Sequence, residues 1–356
     1  MGSGGPEDWA IHCPLPIADR TTVQLAHGGG GRLMRQLIEG LFVRAFGGHG
    51  EGLEAGLHDA AVLEAGSVRL AFTTDSFVVS PLFFPGGDIG RLAVFGTVND
   101  LAMAGARPVW LSAAFILEEG LPMETLQRVV ASMRQAVEEA RVQIVTGDTK
   151  VVDRGKGDGL YINTAGVGLV PADLRIGPRQ VRPGDAILVS GDLGRHGIAV
   201  MSVREGIRLE GALATDCAPL AGLVAALVEA GCELHCLRDL TRGGLAAALN
   251  EIAAEADVGI QLDEASIPVA EPVAGACELL GLDPLYVANE GRLVAFVPAE
   301  AADAALQVLR RHPAAPHPAV IGAVSDEHPG IVELYNKLGG SRTVDLPAGE
   351  PLPRIC

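Results

Sequence analysis

The sequence predicts a two-domain protein of the α/β (α+β) class, and three observations carry this prediction. The chain has 356 residues, enough for two ordinary domains that each bury a core. Hydrophobic residues make up 48% of it and charged residues 20%, the balance of a globular protein. Short apolar stretches typical of strands alternate with stretches of helical periodicity, which is the pattern of mixed helix and sheet folds.

A first domain is predicted over residues 21–172, after a loose extension of residues 1–20. Its first helix follows the glycine run ending at Gly31, because Leu33, Leu37 and Leu41 recur at helical spacing. The later predicted elements are a helix at residues 90–107, a strand at 108–117, a helix at 123–140 and a strand at 161–170.

A second domain is predicted over residues 173–345, because prolines and glycines cluster at residues 171–184 between two apolar strands. A buried strand and turn at residues 185–191 open this domain. The last segment, residues 346–356, is predicted to be a flexible tail.

Charge and cysteine content restrict the class of partner and the compartment. A net charge of −17 and an isoelectric point near 4.9 argue against nucleic acid or an anionic membrane as the main partner. We expect no membrane helix and no signal peptide, because uncharged runs are short and the N-terminus has no basic head. The six cysteines are thinly spread, so a cytoplasmic protein without a disulfide framework is expected.

A glycine loop, His27-Gly28-Gly29-Gly30-Gly31, opens the first helix. Such a loop exposes backbone N–H groups beside the positive end of a helix dipole, which suits a polyphosphate. The loop lacks the Gly-Lys-Ser/Thr of a P-loop, and a flexible linker is the alternative.

Four carboxylates stand beside short apolar strands: Asp59, Asp75, Asp100 and Asp148. A single Asp after a strand is more often a turn or a helix cap. Four of them, each next to Thr, Asn or His, indicate a site for magnesium and a nucleotide, because Mg²⁺ favours a few carboxylates together with phosphate oxygens. In the second domain, Arg242, Gly243 and Gly244 at a helix start form a candidate anion site, with simple capping as the alternative.

The tail has a cysteine as its final residue, Cys356. Pro347, Pro351 and Pro353 disfavour helix and central strand, so an extended arm is predicted, with a terminal thiol free to reach both an internal pocket and a partner. A frayed terminus is the alternative.

Several motifs together resemble a known superfamily. They are His58-Asp59-Ala60-Ala61-Val62, Thr73-Thr74-Asp75-Ser76, the segment 96–108, Thr146-Gly147-Asp148-Thr149-Lys150, Asp239-Leu240-Thr241-Arg242-Gly243-Gly244 and Asn289-Glu290-Gly291. They are similar to those of the ATP-binding superfamily of aminoimidazole ribonucleotide synthetase, or PurM-like proteins, over about residues 22–345. The ending Pro-Leu-Pro-Arg-Ile-Cys resembles the hydrogenase maturation carbamoyl dehydratases within it.

The resemblance implies an activity and partners. A carbamoyltransferase, HypF, would load a carbamoyl group onto Cys356, and this protein would use ATP and Mg²⁺ to dehydrate the S-carboxamide to an S-cyanate (thiocyanate). The cyano group would pass to iron on a HypC–HypD complex, as a cyanide ligand for nickel–iron hydrogenase. A homodimer formed by the N-terminal domains is implied as well. So is a nucleotide site that includes Asn99, Thr146, Gly147 and Asp239.

The chemistry assigns roles to the remaining candidates. An amide oxygen is a poor leaving group, so its loss requires activation, most simply by phosphoryl transfer to that oxygen. Lys150 would contact the phosphate or the developing oxyanion, and either Glu290 or Asp100 would be the general base.

Two rival functions stay open at this stage. One is a small-molecule phosphoryl-transfer enzyme of the same superfamily, selenophosphate synthetase-like or thiamine-phosphate kinase-like. The other is a non-enzymatic scaffold or metal carrier that docks a partner through its tail thiol. The terminal cysteine counts against the first, and the carboxylates with the glycine loops count against the second.

Overall fold

The computed structural model describes residues 22–46, 57–207, 213–347, 352 and 354–356. The predicted extension at residues 1–20, with Cys13, lies outside the described residues, as do Pro351 and Pro353. Within the described part of the chain, no helix combines the length and the apolar character that crossing a bilayer requires.

The first domain is built on a five-stranded sheet. The described strands of this domain are β1 (Ala61–Ala65), β2 (Val68–Phe77), β3 (Phe83–Phe84), β4 (Gly87–Asp88), β5 (Arg107–Glu118), β6 (Gln143–Val152) and β7 (Leu160–Val170). Its helices are α1 (Arg32–Leu37), α2 (Arg44–Phe46), α3 (Ile89–Met103) and α4 (Met123–Ala140), and a π-helical turn, Ile38–Val43, joins α1 to α2. The sheet order is β1-β2-β7-β5-β6, with β5 and β6 parallel and the other neighbours antiparallel, while β3 and β4 form a separate hairpin.

Helix α3 lies on one face of this sheet and is buried along nearly its whole length. Asp88 caps its N-terminus, and Oδ1 of Asp88 accepts a hydrogen bond from the N–H of Gly90 at 2.7 Å. The helix approaches β7 closely because Gly166 has no side chain, since a Cβ there would lie 2.7 Å from Cγ2 of Thr97. This close contact fixes the end of α3, where Asp100 is found.

Helix α4 packs on α3 and buries one stripe of residues, Val129, Met133 and Ala136. The elements predicted between residues 90 and 170 are confirmed, although the first helix ends at Met103, four residues before the predicted end.

The opposite face of the sheet is uncovered by described residues and exposes large side chains. Phe72 on β2, Trp110 on β5 and Ile116 on β5 are 44%, 45% and 45% exposed. Trp110 and Phe72 both pair with Val167, so they share one row of this face. Asp148 and Lys150 pair with Ala114 and Ile116 on β5 and therefore lie on the same face. We call this surface the open sheet face.

The second domain contains a seven-stranded sheet of order β14-β13-β10-β12-β8-β11-β9. Its strands are β8 (Asp185–Val189), β9 (Cys236–Asp239), β10 (Gly259–Asp263), β11 (Leu293–Pro298), β12 (Ala319–Ser325), β13 (Val332–Tyr335) and β14 (Ser341–Thr343). Its helices are α5 (Arg195–Arg204), α6 (Ala221–Glu229), α7 (Gly244–Ala256), α8 (Glu271–Leu280) and α9 (Ala302–Arg311). Strand β8 is buried throughout, as its continuous apolar run predicts.

Asn99, near the end of α3, connects the two domains. Its Oδ1 accepts a hydrogen bond from the N–H of Leu220 at 2.7 Å, and its amide group donates to the carbonyl of Ala218 at 3.1 Å. Because Asn99 is buried, these bonds are expensive to break. The next residue, Asp100, is thereby held at the domain boundary.

Candidate active site

A cavity of about 390 Å³ lies where the two domains meet. The first domain contributes the glycine loop before α1, strand β2 and helix α3, and the second contributes the end of β9 and the start of α7. Of the residues predicted from sequence, the following line it: Gly30, Asp59, Asp75, Asp100, Asp239, Arg242 and Gly244. The structure therefore brings together most of the predicted carboxylates and two of the predicted anion-binding loops.

Three carboxylates converge at one point of the cavity wall. Asp59, Asp100 and Asp239 each place one oxygen within 4.8 Å of the others. Thr73 fixes this arrangement, because its Oγ1 lies 2.9 Å from both Oδ2 of Asp100 and the backbone carbonyl of Asp59. Asp239, predicted as a nucleotide contact, is thus the third member of the carboxylate cluster.

Burial and mutual repulsion raise the pKa values in this cluster. Burial raises the pKa of Asp59 to about 6, although the nearby Arg238 acts in the opposite direction. Burial, together with the neighbouring carboxylates, holds the pKa values of Asp100 and Asp239 well above their ordinary range. Burial also raises the pKa of Asp75, which lies beside the cluster. The cluster therefore favours any cation that neutralises it.

Arg238 is a buried cation beside the cluster that sequence reasoning missed. Its Nε lies 3.1 Å from Oδ1 of Asp59, and it also pairs with Glu251 on α7. His58 next to it is neutral, because burial, and then the charge of Arg238, lower its pKa to about 3. A basic residue within the apolar strand Cys236–Asp239 was the available signal.

The donor set fits a hard divalent cation. Among the described residues, Oδ2 of Asp59 and Oδ2 of Asp239 are buried and have no hydrogen-bond partner. Orphaned carboxylate oxygens are rare in folded proteins, and a bound ion removes the penalty of burying them. Oxygen ligands of this kind suit Mg²⁺ in particular.

Glu290 lies in a buried turn before β11 and faces the same region. Its backbone N–H and that of Gly291 donate to Oδ2 of Asp216 at 3.2 Å and 3.0 Å. Burial first, and then Asp239, Asp75 and Asp216, hold the pKa of Glu290 well above its ordinary range. Its Oε1 is buried without a hydrogen-bond partner in the described chain. A buried carboxyl group whose pKa is raised in this way is a candidate for proton transfer.

The two glycine loops contact each other across the domain boundary. Gly30 has a φ of +73°, and a Cβ there would lie 2.7 Å from the carbonyl oxygen of Arg242. Gly243 has a φ of +78°, and a Cβ there would lie 3.3 Å from the carbonyl oxygen of Gly30. Other residues would be strained or would clash at both positions. His27 and Gly28 belong to the preceding 3₁₀ turn and do not line the cavity.

Asp148 requires a correction. The prediction of one four-carboxylate cluster containing Asp148 is not realised within a single chain, because Asp148 is exposed on β6 and lies on the open sheet face. Thr146, Gly147 and Lys150 lie on the same exposed strand, and Lys150 Nζ is 2.5 Å from Oδ2 of Asp148. Asp75 pairs with Thr164, which faces α3. The sheet therefore separates Asp148 from Asp75 and Asp100.

The tail also departs from the prediction. A free, solvent-exposed arm was expected, yet Leu352, Ile355 and Cys356 are 4%, 1% and 7% exposed. They join an apolar cluster that includes Phe77 of the first domain and Ile198 of the second. Two apolar residues so near the end, at 352 and 355, were the signal for burial. In the structure the terminal residue is buried, and the predicted free arm is not observed.

The end of the tail pairs with residues 78–80. The N–H of Val78 donates to the Cys356 carbonyl at 3.0 Å, and the N–H of Ser80 donates to the Arg354 carbonyl at 3.3 Å. Leu352 and Ile355 line a small crevice together with Gly29, Arg242 and Gly243. The docked end is thus packed against the loops that form the cavity wall.

Comparisons with known proteins identify the class first. The N-terminal domain of AIR synthase related proteins matches residues 57–170, and their C-terminal domain matches residues 182–334. Thiamine monophosphate kinase from Aquifex aeolicus shares the fold, with a TM-score of 0.63 over 87% of this chain and 99% of its own, at 18% identity. Fold and site thus define an AIR synthase related protein, as the motifs predicted.

Much greater similarity then singles out one branch. The carbamoyl dehydratase HypE of Azotobacter vinelandii is 55% identical over 336 residues, 94% of this chain and 97% of its own length. The crystal structure of the hydrogenase maturation protein HypE in complex with ATP matches with a TM-score of 0.79 and 49% identity, over 94% of this chain and 100% of its own. The HypE–HypF complex matches with a TM-score of 0.82 and 46% identity, over 87% and 99%. The chain therefore belongs to the family of HypE carbamoyl dehydratases.

Proposed function

We propose that this protein uses ATP to dehydrate an S-carbamoyl group on its own Cys356 to an S-cyanate, which supplies the cyanide ligands of the nickel–iron hydrogenase iron. The observation that carries the proposal is the docked tail. Cys356 is buried, and its neighbour Ile355 lines a small crevice with Arg242 and Gly243, two residues at the edge of the carboxylate-lined cavity. A substrate attached to that thiol would be held inside the protein, away from water and next to a nucleotide.

The reaction balances with ATP as the only co-reactant. The carboxamide oxygen attacks the γ-phosphorus, ADP leaves, and one nitrogen proton is lost as the O-phosphorylated imidate forms. Phosphate then departs with the C–O bond electrons while the second nitrogen proton is removed, which leaves the C≡N group on sulfur. The oxygen of the lost water ends in phosphate.

Glu290 is the stronger of the two candidate bases. It is buried, its Oε1 has no hydrogen-bond partner in the described chain, and burial raises its pKa above the ordinary range, which makes its carboxylate a stronger base. Asp100, the other candidate, is engaged by Thr73 and belongs to the carboxylate cluster. We assign the base to Glu290 and cation binding to Asp100.

Asp59, Asp100 and Asp239 would hold Mg²⁺, which neutralises phosphate charge during transfer when it is bound. Arg242 and the glycine loops that contain Gly30 and Gly244 lie on the same cavity wall and would contact the phosphate oxygens. With these local positive groups, a chain of net charge −17 can bind a polyanion.

The relative in the HypE–HypF complex supports HypF as the partner that loads Cys356. We propose a HypC–HypD complex as the acceptor of the cyano group, since a cyanide ligand must be passed on to iron. Loading requires the terminal thiol to leave its buried position, because a partner's active site cannot reach a residue that is 7% exposed.

We also propose a homodimer formed through the open sheet face. Phe72, Trp110 and Ile116 expose nearly half of their surface there, and an uncovered apolar sheet face favours a second copy of the same face. Asp148 and Lys150 lie on this face, opposite to Asp100 within one chain. Any role of theirs in phosphate binding would therefore require the partner copy.

Intact mass spectrometry tests the proposed function. The protein is incubated with HypF, carbamoyl phosphate and ATP, and we expect one carbamoyl group to be added and then one water to be lost. Cys356→Ala should abolish both changes, whereas Cys232→Ala, a half-buried cysteine elsewhere, should preserve them. Addition of a carbamoyl group that never loses water with ATP present would contradict the proposal.

A further inference from the structure

We propose that His196 is a positioning residue that holds the Ile355 carbonyl and thereby places the Cys356 thiol. Nε2 of His196 lies 2.8 Å from the carbonyl oxygen of Ile355, and Nδ1 lies 2.8 Å from Oγ1 of Thr215. The imidazole is fully buried at the start of α5. This inference rests on the proposed function, since it concerns the delivery of the thiol that carries the substrate.

The hydrogen bonds determine one tautomer. A carbonyl oxygen only accepts, so Nε2 must carry the proton that it shares with Ile355. Burial lowers the pKa of His196 and keeps the ring neutral, so Nδ1 must accept, and the Thr215 hydroxyl must donate to it. Oγ1 of Thr215 in turn accepts from the N–H of Cys217 at 3.1 Å. The hydrogen bonds therefore run in one direction, from the N–H of Cys217 through Thr215 and His196 to the carbonyl of Ile355 in the tail.

Neighbouring groups restrict the ring to this geometry. Phe84 packs edge-on against the imidazole, with ring centroids 5.3 Å apart. The next residue, Gly197, leaves room for the tail, because a Cβ there would lie 3.0 Å from Cδ1 of Leu352. A ring that is buried and held on both nitrogens makes a rigid donor for an incoming chain end.

Further bonds fix the residues on either side of Ile355 but leave its own carbonyl to His196. Arg204 donates to the carbonyl of Arg354 at 2.7 Å and to that of Ser80 at 2.6 Å. The Cys356 carbonyl accepts from Val78. The pairing with residues 78–80 satisfies the carbonyls of residues 354 and 356 but not that of Ile355 between them. His196 supplies the missing donor from the second domain, which joins the tail to both domains at the residue before the thiol.

The test compares His196→Phe, which keeps a ring beside Phe84 but has no donor, with His196→Gln, whose amide nitrogen can reach the position of Nε2. The first readout is the rate at which iodoacetamide alkylates Cys356, followed by mass spectrometry of the C-terminal peptide, without ATP or a partner. Loss of one buried hydrogen bond should speed alkylation about tenfold in His196→Phe, and His196→Gln should stay within about threefold of wild type. His328→Phe, an exposed histidine outside the tail contacts, should match wild type.

The second readout is a single turnover of carbamoylated protein at saturating ATP. His196→Phe should dehydrate the carboxamide at least several-fold more slowly, with loading no slower than in wild type and with unchanged nucleotide affinity, and His196→Gln should restore the rate. Equal alkylation of wild type and a folded His196→Phe would overturn the inference, and so would a Gln variant as reactive as the Phe variant. If His196→Phe fails to fold, Thr215→Val takes its place, because it removes the donor to Nδ1 of His196. An alkylation rate of Cys356 in Thr215→Val equal to that of the wild type would overturn the inference. Absence of dehydration in the wild type would refute the proposed function alone, because the alkylation contrast needs no turnover.

Discussion

Replacing Asp239 with Asn should make the metal-free protein more stable and the nucleotide-bound protein less stable. Asp239 lies at the end of β9, with one oxygen within 4.8 Å of oxygens from Asp59 and Asp100. Asn keeps the shape of the side chain and removes its charge. The sign of the effect on stability should therefore depend on whether Mg²⁺ and ATP are present.

The magnitude follows from the geometry. Two unit charges 4.8 Å apart repel by about 3.5 kcal/mol at an effective dielectric constant of about 20. The cluster avoids part of this repulsion by taking up protons, since the pKa values of Asp100 and Asp239 are held well above their ordinary range. We expect roughly 1–2 kcal/mol to be recovered in the variant, which for a chain of 356 residues corresponds to a rise in unfolding midpoint of about 1–3 °C.

Differential scanning fluorimetry with EDTA, and then with Mg²⁺ and ATP, measures both states. A ligand at 100 times its Kd stabilises the wild type by about 2.7 kcal/mol, and Asp239→Asn should lose most of this gain. Asp263→Asn is the matched control, because Asp263 also ends a strand. Unlike Asp239, it caps a turn by accepting a hydrogen bond from the N–H of Ala265 at 3.1 Å. It should lose a little stability under both conditions. An Asp239→Asn protein that melts below the wild type in EDTA, or gains as much from Mg²⁺ and ATP, would refute the cation site.

Three further predictions follow from the same structure. Protonation of Asp59 should stabilise the metal-free protein as the pH falls from 6 to 4, because burial raises the pKa of Asp59 from 3.8 to about 6 in the folded state. This difference contributes about 3 kcal/mol to the free energy of unfolding, which is complete below pH ~4 and is lost as the pH rises through 6. The urea midpoint of Asp59→Asn should therefore depend less on pH than that of the wild type. Asp100→Asn and Asp148→Asn should each weaken ATP turnover with an unchanged circular dichroism spectrum. If Asp148 acts in the partner copy, mixing the two proteins should raise turnover above that of either protein alone. Two residues appended after Cys356 should slow dehydration in the mass-spectrometric assay, because the terminal residue is buried and its carbonyl is bonded to Val78, and a normal rate would exclude a closed site around the terminus.

Local patterns in the sequence predicted the elements and the chemistry of the candidate site well. The helix at residues 123–140 is observed with those bounds, because its apolar stripe and its length specify it locally. The four Asp residues were recognisable as one set because each stands beside a short apolar stretch and close to Thr, Asn or His. Asp59 and Asp100 do meet, because Thr73 on β2 bonds both the backbone carbonyl of Asp59 and Oδ2 of Asp100.

The order of strands in the two sheets determines which carboxylates lie in the same site, and this order depends on contacts between residues far apart in the sequence. Asp148 and Asp239 look alike in sequence, as each ends or interrupts a short apolar strand. The pairing of β6 with β5 turns Asp148 to the open sheet face, while β9 of the second domain brings Asp239 to Asp59. Nothing within ten residues of either aspartate contains that information, since a shift of one residue in register reverses the face.

The buried tail and the need to load it externally are compatible if docking is only modestly favourable, and the contacts support this. Ordering the four described residues at the end costs roughly 4–8 kcal/mol in backbone entropy. Burial of Leu352 and Ile355 returns about 3–6 kcal/mol, and the five hydrogen bonds that residues 354–356 make with Val78, Ser80, His196 and Arg204 return about 3–7 kcal/mol more. The balance favours the docked state by a few kcal/mol, within the reach of a partner that binds the free end with micromolar affinity. Burial of the thiol therefore protects the substrate during dehydration without preventing its transfer, and a change as small as one hydrogen bond at His196 alters the population of the free end measurably.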